Sequence, residues 1–141
     1  MGESIKTSAI KSVSAVTAGK NPDPSQYSPL ALAYLGDAVY ELIIREHVLS
    51  EGNRQVNKLH KESTKFVNAG AQADLMMKIE DKLTDEEKAI YKRGRNANAH
   101  AAPKNQDVIA YRKATGFEAL IGWLYLRGDM DRIQELINID F

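Results

Sequence analysis

Apolar residues recur at spacings of three and four over most of this chain, which is the period of a helix with one buried face. The first such stripe consists of Leu32, Leu35, Val39 and Leu42. Ser28 and Pro29 stand just before it, and these residue types favour the cap and the first turn of a helix. Gly52 follows it as a helix-ending residue. The pattern therefore predicts a long helix over residues 28–50.

Four further helical segments are predicted, and strand signals are scarce. Three of them cover residues 53–83, 107–126 and 130–139. The first of these three contains Gly70, near which we expect a break. The remaining segment opens at Thr84, which is followed three residues later by Glu87 in the capping-box pattern. The sequence therefore predicts an all-α fold.

Two carboxylates stand alone in uncharged stretches of predicted helix. Asp37 and Glu118 are each the only charged residue in a run of thirteen. A charge in apolar surroundings costs several kcal/mol unless it is compensated, and a shared divalent cation would compensate both. Gly36 and Gly122 lie nearby in mid-helix, where glycine costs about 1 kcal/mol relative to alanine and so indicates close backbone contact. We therefore predict that the two carboxylates meet near a tight helix crossing.

In the metal-site interpretation, Asp37 and Glu118 bind Mg2+, an ion that prefers one or two carboxylates together with waters and substrate oxygens. The alternative is a packing role, in which each acid pairs with a cation such as Arg45 or Arg112. Spacing alone leaves both open. The chain has no zinc-type histidine spacing, P-loop, nucleophile elbow or dinucleotide fingerprint. Enzymes that depend on those motifs are therefore not supported.

The net charge of the 141-residue chain is zero, but the charges are segregated. Residues 80–87 hold five acids and one lysine, whereas residues 88–113 hold seven Lys or Arg and one acid. Cations neutralise phosphates, and asparagine donates to phosphate or sugar oxygens, so the basic segment is a candidate nucleic-acid contact. Its candidate residues are Lys92, Arg93, Arg95, Asn96, Lys104, Asn105 and Arg112. From charge alone, a solvated loop that balances the acidic run is the alternative.

Composition limits the compartment and the domain organisation. The chain has no cysteine and no run of about 18 apolar residues, so we expect no disulfide, no thiolate metal site and no membrane span. A reducing cytoplasm fits this composition. The first residues are rich in Ser, Thr and Lys. We expect a flexible extension at residues 1–26 and a single domain at residues 27–141.

Four blocks of the sequence carry a family resemblance. They are LALAYLGDAVYE at residues 30–41, KRGRNAN at 92–98, PKN at 103–105 and DVIAYRKATGFEALIGWLYL at 107–126. Together they resemble the Mini-III ribonucleases, which are short relatives of ribonuclease III that lack a separate domain for binding double-stranded RNA. Asp37 matches the catalytic aspartate of that family and Glu118 matches its metal-binding glutamate. The segment of residues 92–105 matches the part expected to touch RNA.

The resemblance implies a fold and an activity. The fold would be the helical bundle of the ribonuclease III catalytic domain, and the protein would be a homodimer with a valley for double-stranded RNA. Each subunit would cut one strand, with Mg2+ activating water for attack. The expected role is maturation of the paired ends of the large-subunit (23S) ribosomal RNA precursor.

The chain departs from full-length ribonuclease III in its acids. That enzyme carries four acids per site, and two of them precede the aspartate at positions where this chain has Leu30 and Ala33. A third precedes the glutamate, where this chain has Thr115. Mini-III members share much of this reduction.

Two other functions remain compatible with these residues. A non-catalytic dimer with the reduced acid set would bind double-stranded RNA without cutting it. An all-α nucleotide pyrophosphatase would use the acids of residues 80–87 as metal ligands, which requires that those acids face one pocket.

Overall fold

A computed structural model describes residues 23–97 and 107–138 of the chain. Within these ranges the chain forms helices and turns without a strand, which confirms the predicted all-α class. The helices of eight or more residues are α1 (Pro29–Ser50), α2 (Val56–Val67), α3 (Ala69–Ile79), α4 (Asp85–Asn96), α5 (Val108–Leu126) and α6 (Met130–Ile137). Most of the predicted extension lies outside the described residues, and so do Lys104 and Asn105.

Side-chain caps set the starts of α1 and α5. The Ser28 hydroxyl accepts a hydrogen bond from the N–H of Ala31 at 3.1 Å. The Asp107 carboxylate accepts from the N–H groups of Ile109 and Ala110 at 2.9 and 3.3 Å. These bonds satisfy donors that the start of a helix leaves unpaired. Both helices therefore begin where the sequence predicts.

The acidic run upstream of the basic segment serves the start of α4. Thr84 and Glu87 form the predicted capping box, with bonds of 3.2 and 2.8 Å between each side chain and the backbone N–H of the other. Arg132 donates to both carboxylate oxygens of Glu87 at 2.8 Å and holds the pKa of that carboxyl below its usual value. Arg127 pairs with Glu86 at 2.8 Å. Since these acids act in capping and ion pairing, the structure does not support the pyrophosphatase alternative.

The segment predicted as helical over residues 53–83, with a break near Gly70, is two helices, α2 and α3, with Asn68 between them. The Asn68 side chain donates to the carbonyl of Thr64 at 2.9 Å and accepts from the N–H of Ala71 at 2.8 Å. It therefore ends one helix and caps the next. The break lies two residues before Gly70, because Asn68 provides the cap.

Helix α5 is the centre of the bundle. It packs against α1, α3, α4 and α6, and its side chains Phe117, Leu120 and Ile121 are fully buried. A helix with neighbours on several sides has little surface facing solvent, which explains why its sequence is apolar nearly all round. None of the helices in the described ranges combines the length and apolar character that crossing a bilayer requires.

Helices α1 and α5 make the most extensive contact in the bundle, and they cross at two glycines. A Cβ atom on Gly36 would overlap the backbone carbonyl oxygen of Glu118. A Cβ atom on Gly122 would overlap the backbone carbonyl oxygen of Leu32. The predicted close approach of the two backbones is therefore confirmed, and it fixes the neighbouring side chains of both helices relative to each other.

Candidate active site

Asp37 of α1 and Glu118 of α5 lie next to each other at the glycine crossing, and their carboxyl groups interact directly. The environments of the two acids differ, because Asp37 is exposed whereas Glu118 is partly buried. The sequence pattern indicates apolar surroundings for both. For Asp37 this is wrong, since α1 leaves one side open to solvent, where Tyr34 is 84% exposed.

No ion pair among the described residues includes either acid. Arg45, one partner suggested by the packing alternative, pairs instead with Glu41 at 2.9 Å. Two adjacent carboxylates without a neighbouring cation repel each other when both are charged. The pair is therefore a place where a bound cation would be stabilising.

The surroundings of Glu118, the partly buried member of the pair, raise the pKa of its carboxyl group. The pKa of Glu118 is raised from 4.5 to about 8, first because burial disfavours the charged form and then because Asp37 lies against it as a hydrogen-bond partner and a like charge. The side chain of Gln72, from α3, acts in the opposite direction and lowers the pKa. At neutral pH and without a cation, Glu118 therefore retains its proton.

The donor set fits one Mg2+ ion. Mg2+ is commonly bound by one or two carboxylates while it keeps several waters, and Asp37 and Glu118 supply two. In the described ranges no three acids or histidines are grouped to hold a metal, so further ligands would be water or substrate oxygens. Thr115, at the position of a family acid, donates its hydroxyl to the carbonyl of Tyr111 at 3.1 Å.

The raised pKa predicts how stability depends on pH in the absence of metal. The unfolded chain ionises Glu118 above 4.5, whereas the folded protein keeps the proton up to about 8. The stability that this group contributes is therefore complete below the lower value and is lost as the pH rises through the higher one. Urea unfolding in chelator across this range should show the decline. Glu118→Gln should remove that part of the pH dependence, and an unchanged slope in this variant would contradict the assignment.

The basic candidates that the structure describes lie mainly at the end of α4. Lys92, Arg93 and Asn96 are exposed, and the guanidinium of Arg95 lies 5.6 Å from the centre of the Tyr91 ring. Arg112 is partly buried on α5.

Backbone packing brings the end of α4 alongside the part of α5 that carries the acid pair. A Cβ atom on Gly94 would meet the Cβ of Ala119 at 2.7 Å and the Cα of Gly116 at 2.9 Å. These two α5 residues flank Glu118 in the sequence. The basic end of α4 therefore packs on the part of α5 that carries Glu118.

Sequence reasoning missed Gln72. This residue is only 2% exposed, and its amide nitrogen Nε2 is buried without a hydrogen-bond partner among the described residues. It influences Glu118, but from a position that does not complete an ordinary hydrogen bond. A signal was present, because Gln72 falls one helical turn before the buried residues Leu75 and Met76 and so occupies a core position of α3.

Comparisons with known proteins agree on a family. The ribonuclease III domain model matches residues 30–129. A Mini-ribonuclease 3 of Enterococcus faecalis is 51% identical over 82% of this chain and 89% of its own. One from Thermoanaerobacter is 50% identical over 79% of each chain. A crystal structure of a Fusobacterium nucleatum protein is 39% identical, with a TM-score of 0.76 over 84% of this chain and 95% of that one.

The family model covers the acid pair and both glycines of the crossing. The similarity to the Mini-ribonuclease 3 proteins extends over most of both chains. The described helices and the Fusobacterium structure agree in fold. This chain belongs to the ribonuclease III family, and it is an endoribonuclease of the Mini-ribonuclease 3 type.

Proposed function

We propose that this endoribonuclease cuts double-stranded RNA and that Asp37 and Glu118 form its catalytic site by binding Mg2+. The observation that carries the proposal is the acid pair itself: two carboxylates are held together at a glycine crossing, and neither forms an ion pair with another described residue. Divalent-metal dependence is general in the ribonuclease III family. The size and charge of Mg2+ suit a site with two carboxylates.

The two acids have different tasks in this mechanism. Asp37 is exposed and is the member that approaching RNA can reach, whereas Glu118 must release its proton before the pair can bind a cation. When bound, Mg2+ polarises the scissile phosphate and lowers the pKa of the attacking water. The glycine crossing keeps both carboxylates in fixed positions, so little reorganisation is needed on binding.

The direct test is cleavage of a long, perfectly paired RNA by the purified protein, with Mg2+ and with chelator. The proposal expects cutting that depends on Mg2+, with a single-stranded RNA of the same length as the control. Binding of paired RNA without any Mg2+-dependent cutting would favour the non-catalytic RNA-binding alternative.

We also propose that the protein acts as a homodimer through an apolar strip on α1. Leu30, Tyr34 and Leu42 are 41%, 84% and 53% exposed, and their spacings of four and eight residues align them on one face. Asp37 borders this face, so a second copy seated there would bring two acid pairs close to one RNA. In analytical ultracentrifugation, Tyr34→Arg should shift the protein from dimer to monomer. Val56→Arg changes an exposed valine on α2 and should leave the dimer intact.

RNA contact by the basic end of α4 gives a quantitative prediction. Arg93 is exposed and, in this proposal, neutralises one phosphate. Arg93→Ala should therefore reduce the slope of log affinity against log salt by about one unit, with little change in preference between paired sequences. Lys58→Ala, at an exposed site on α2, is the matched control and should leave the slope unchanged. Equal slopes for both variants would remove Arg93 from the interface.

The biological substrate that we propose is the paired end region of the 23S ribosomal RNA precursor, processed in the cytoplasm by a domain spanning residues 27–141. The proposed RNA-contact set consists of Arg93 together with Lys92, Arg95, Asn96, Lys104, Asn105 and Arg112. Cleavage of paired precursor ends should be faster than cleavage of an unrelated duplex of equal length. Equal rates would be compatible with cleavage of double-stranded RNA in general but would reject the 23S precursor as the preferred substrate.

A further inference from the structure

We propose that Gln72 is a positioning residue for the metal-binding acid pair, whose buried amide holds the Glu118 carboxylate in place once a divalent cation is bound. This inference rests on the proposed function and goes beyond it, because it assigns a role to a residue that does not itself bind metal or RNA. Gln72 lies on α3, which packs directly against α5.

The first argument is the free-energy cost of burying the Gln72 amide without a hydrogen-bond partner. Gln72 is only 2% exposed to solvent, and its Nε2 atom has no hydrogen-bond partner among the described residues. A buried donor without a partner is destabilising, and native proteins rarely contain one without a reason. At this core position of α3, Leu75, Met76 and Ile79 on the following turns are apolar. A leucine or methionine would fit that pattern at no such cost.

The second argument is the group with which the Gln72 side chain interacts. The Gln72 side chain interacts with Glu118, the partly buried member of the acid pair. An amide N–H favours a charged carboxylate over a protonated one. A cation is held by a charged carboxylate, so the metal-bound site would offer this donor a carboxylate oxygen as its acceptor.

Ligands of metal ions are commonly oriented by hydrogen bonds from residues behind them. Loss of such a partner typically weakens metal binding by about 10-fold to 100-fold. Gln72 occupies that place for Glu118, since it approaches from α3 while Asp37 approaches from α1. The buried, unpaired amide would find its acceptor in the Glu118 carboxylate of the metal-bound site.

The test uses Gln72→Met, which keeps an unbranched side chain of similar length and removes the amide. Two measurements on the full chain separate the roles: Mg2+ binding by isothermal titration calorimetry without RNA, and thermal unfolding in chelator. The proposal expects the dissociation constant for Mg2+ to rise about 10-fold or more. It also expects the metal-free unfolding midpoint to stay the same or rise, because the amide has no partner to lose.

Met76→Leu is the matched control, since it changes a fully buried side chain one turn further along α3 and leaves every hydrogen-bonding group in place. It should bind Mg2+ like the wild type. Gln72→Leu provides a second amide-free variant and should repeat the result of Gln72→Met. Dissociation constants within twofold of wild type in both Gln72 variants, or a clearly lowered metal-free midpoint in both, would overturn the proposal.

Failure of the proposed function looks different. If the wild type binds no Mg2+, or if Asp37→Asn binds Mg2+ as well as the wild type does, the metal site is wrong and the role of Gln72 falls with it. If the wild type binds Mg2+, Asp37→Asn does not, and the Gln72 variants bind normally, only the role of Gln72 is rejected.

Discussion

Asp37→Asn is expected to abolish Mg2+-dependent cleavage while leaving the fold and most RNA binding intact. The substitution preserves the size of an exposed side chain, so little packing is lost. It removes one of the two carboxylates that would hold the ion. A bound metal stabilises the transition state by several kcal/mol. Each loss of about 1.4 kcal/mol of this stabilisation lowers the reaction rate by a factor of ten. The expected loss in cleavage rate is therefore about a thousandfold or more.

The matched control is Asp74→Asn, which makes the same chemical change at an exposed acid on α3. It should cut paired RNA at the wild-type rate. Cleavage by Asp37→Asn within a few fold of wild type, measured on paired RNA at saturating Mg2+, would reject the site.

Asp37→Asn should also leave a mark that is independent of RNA. The Asp37 carboxylate contributes to the raised pKa of Glu118 as a like charge, and an amide would not. The pKa of Glu118 should therefore fall in the variant, which NMR titration of the side-chain carboxyl can measure. An unchanged pKa would mean that the two side chains do not interact as the structure indicates.

The acid pair could be predicted because isolated charges are costly and because glycines in mid-helix are costly too. Asp37 with Gly36, and Glu118 with Gly122, each combine the two signals, and the structure joins them at one crossing. The difference in exposure between the acids could not be predicted. It depends on which side of α1 is covered by other helices, and the apolar pattern of α1 does not show this.

Gln72 shows the opposite limitation. Its place in the α3 pattern marks it as a core position, but one glutamine among apolar residues has no partner that the sequence can name. The partner, Glu118, is 46 residues away in the sequence and comes near only because α3 packs on α5. Asn68 is a similar case, because asparagine is favoured both at helix caps and in loops. Only the backbone conformation shows that Asn68 is a cap.

Gly36→Ala is expected to give the largest loss of stability of any single-methyl change in the chain's described core. The added Cβ would overlap a backbone carbonyl oxygen of Glu118, and backbone of the opposite helix cannot rotate away as a side chain can. Helices α1 and α5 would have to separate at their main contact. Overpacking typically costs about 1–3 kcal/mol, and a clash with backbone belongs at or above the upper end.

Gly70→Ala is the matched control for Gly36→Ala, because it adds the same methyl group to a helical glycine. At Gly70 the new Cβ would approach only the side-chain oxygen of Asn68, at 3.3 Å. Alanine is favoured over glycine in helices by about 1 kcal/mol, so this variant should be as stable as the wild type or more stable. Urea unfolding should therefore separate the two variants in opposite directions. Gly36→Ala also moves Asp37 away from Glu118, so the affinity of this variant for Mg2+ should fall even under conditions in which the protein is folded. Equal stability of the two variants would show that the helix crossing can accommodate a methyl group, contrary to the structure.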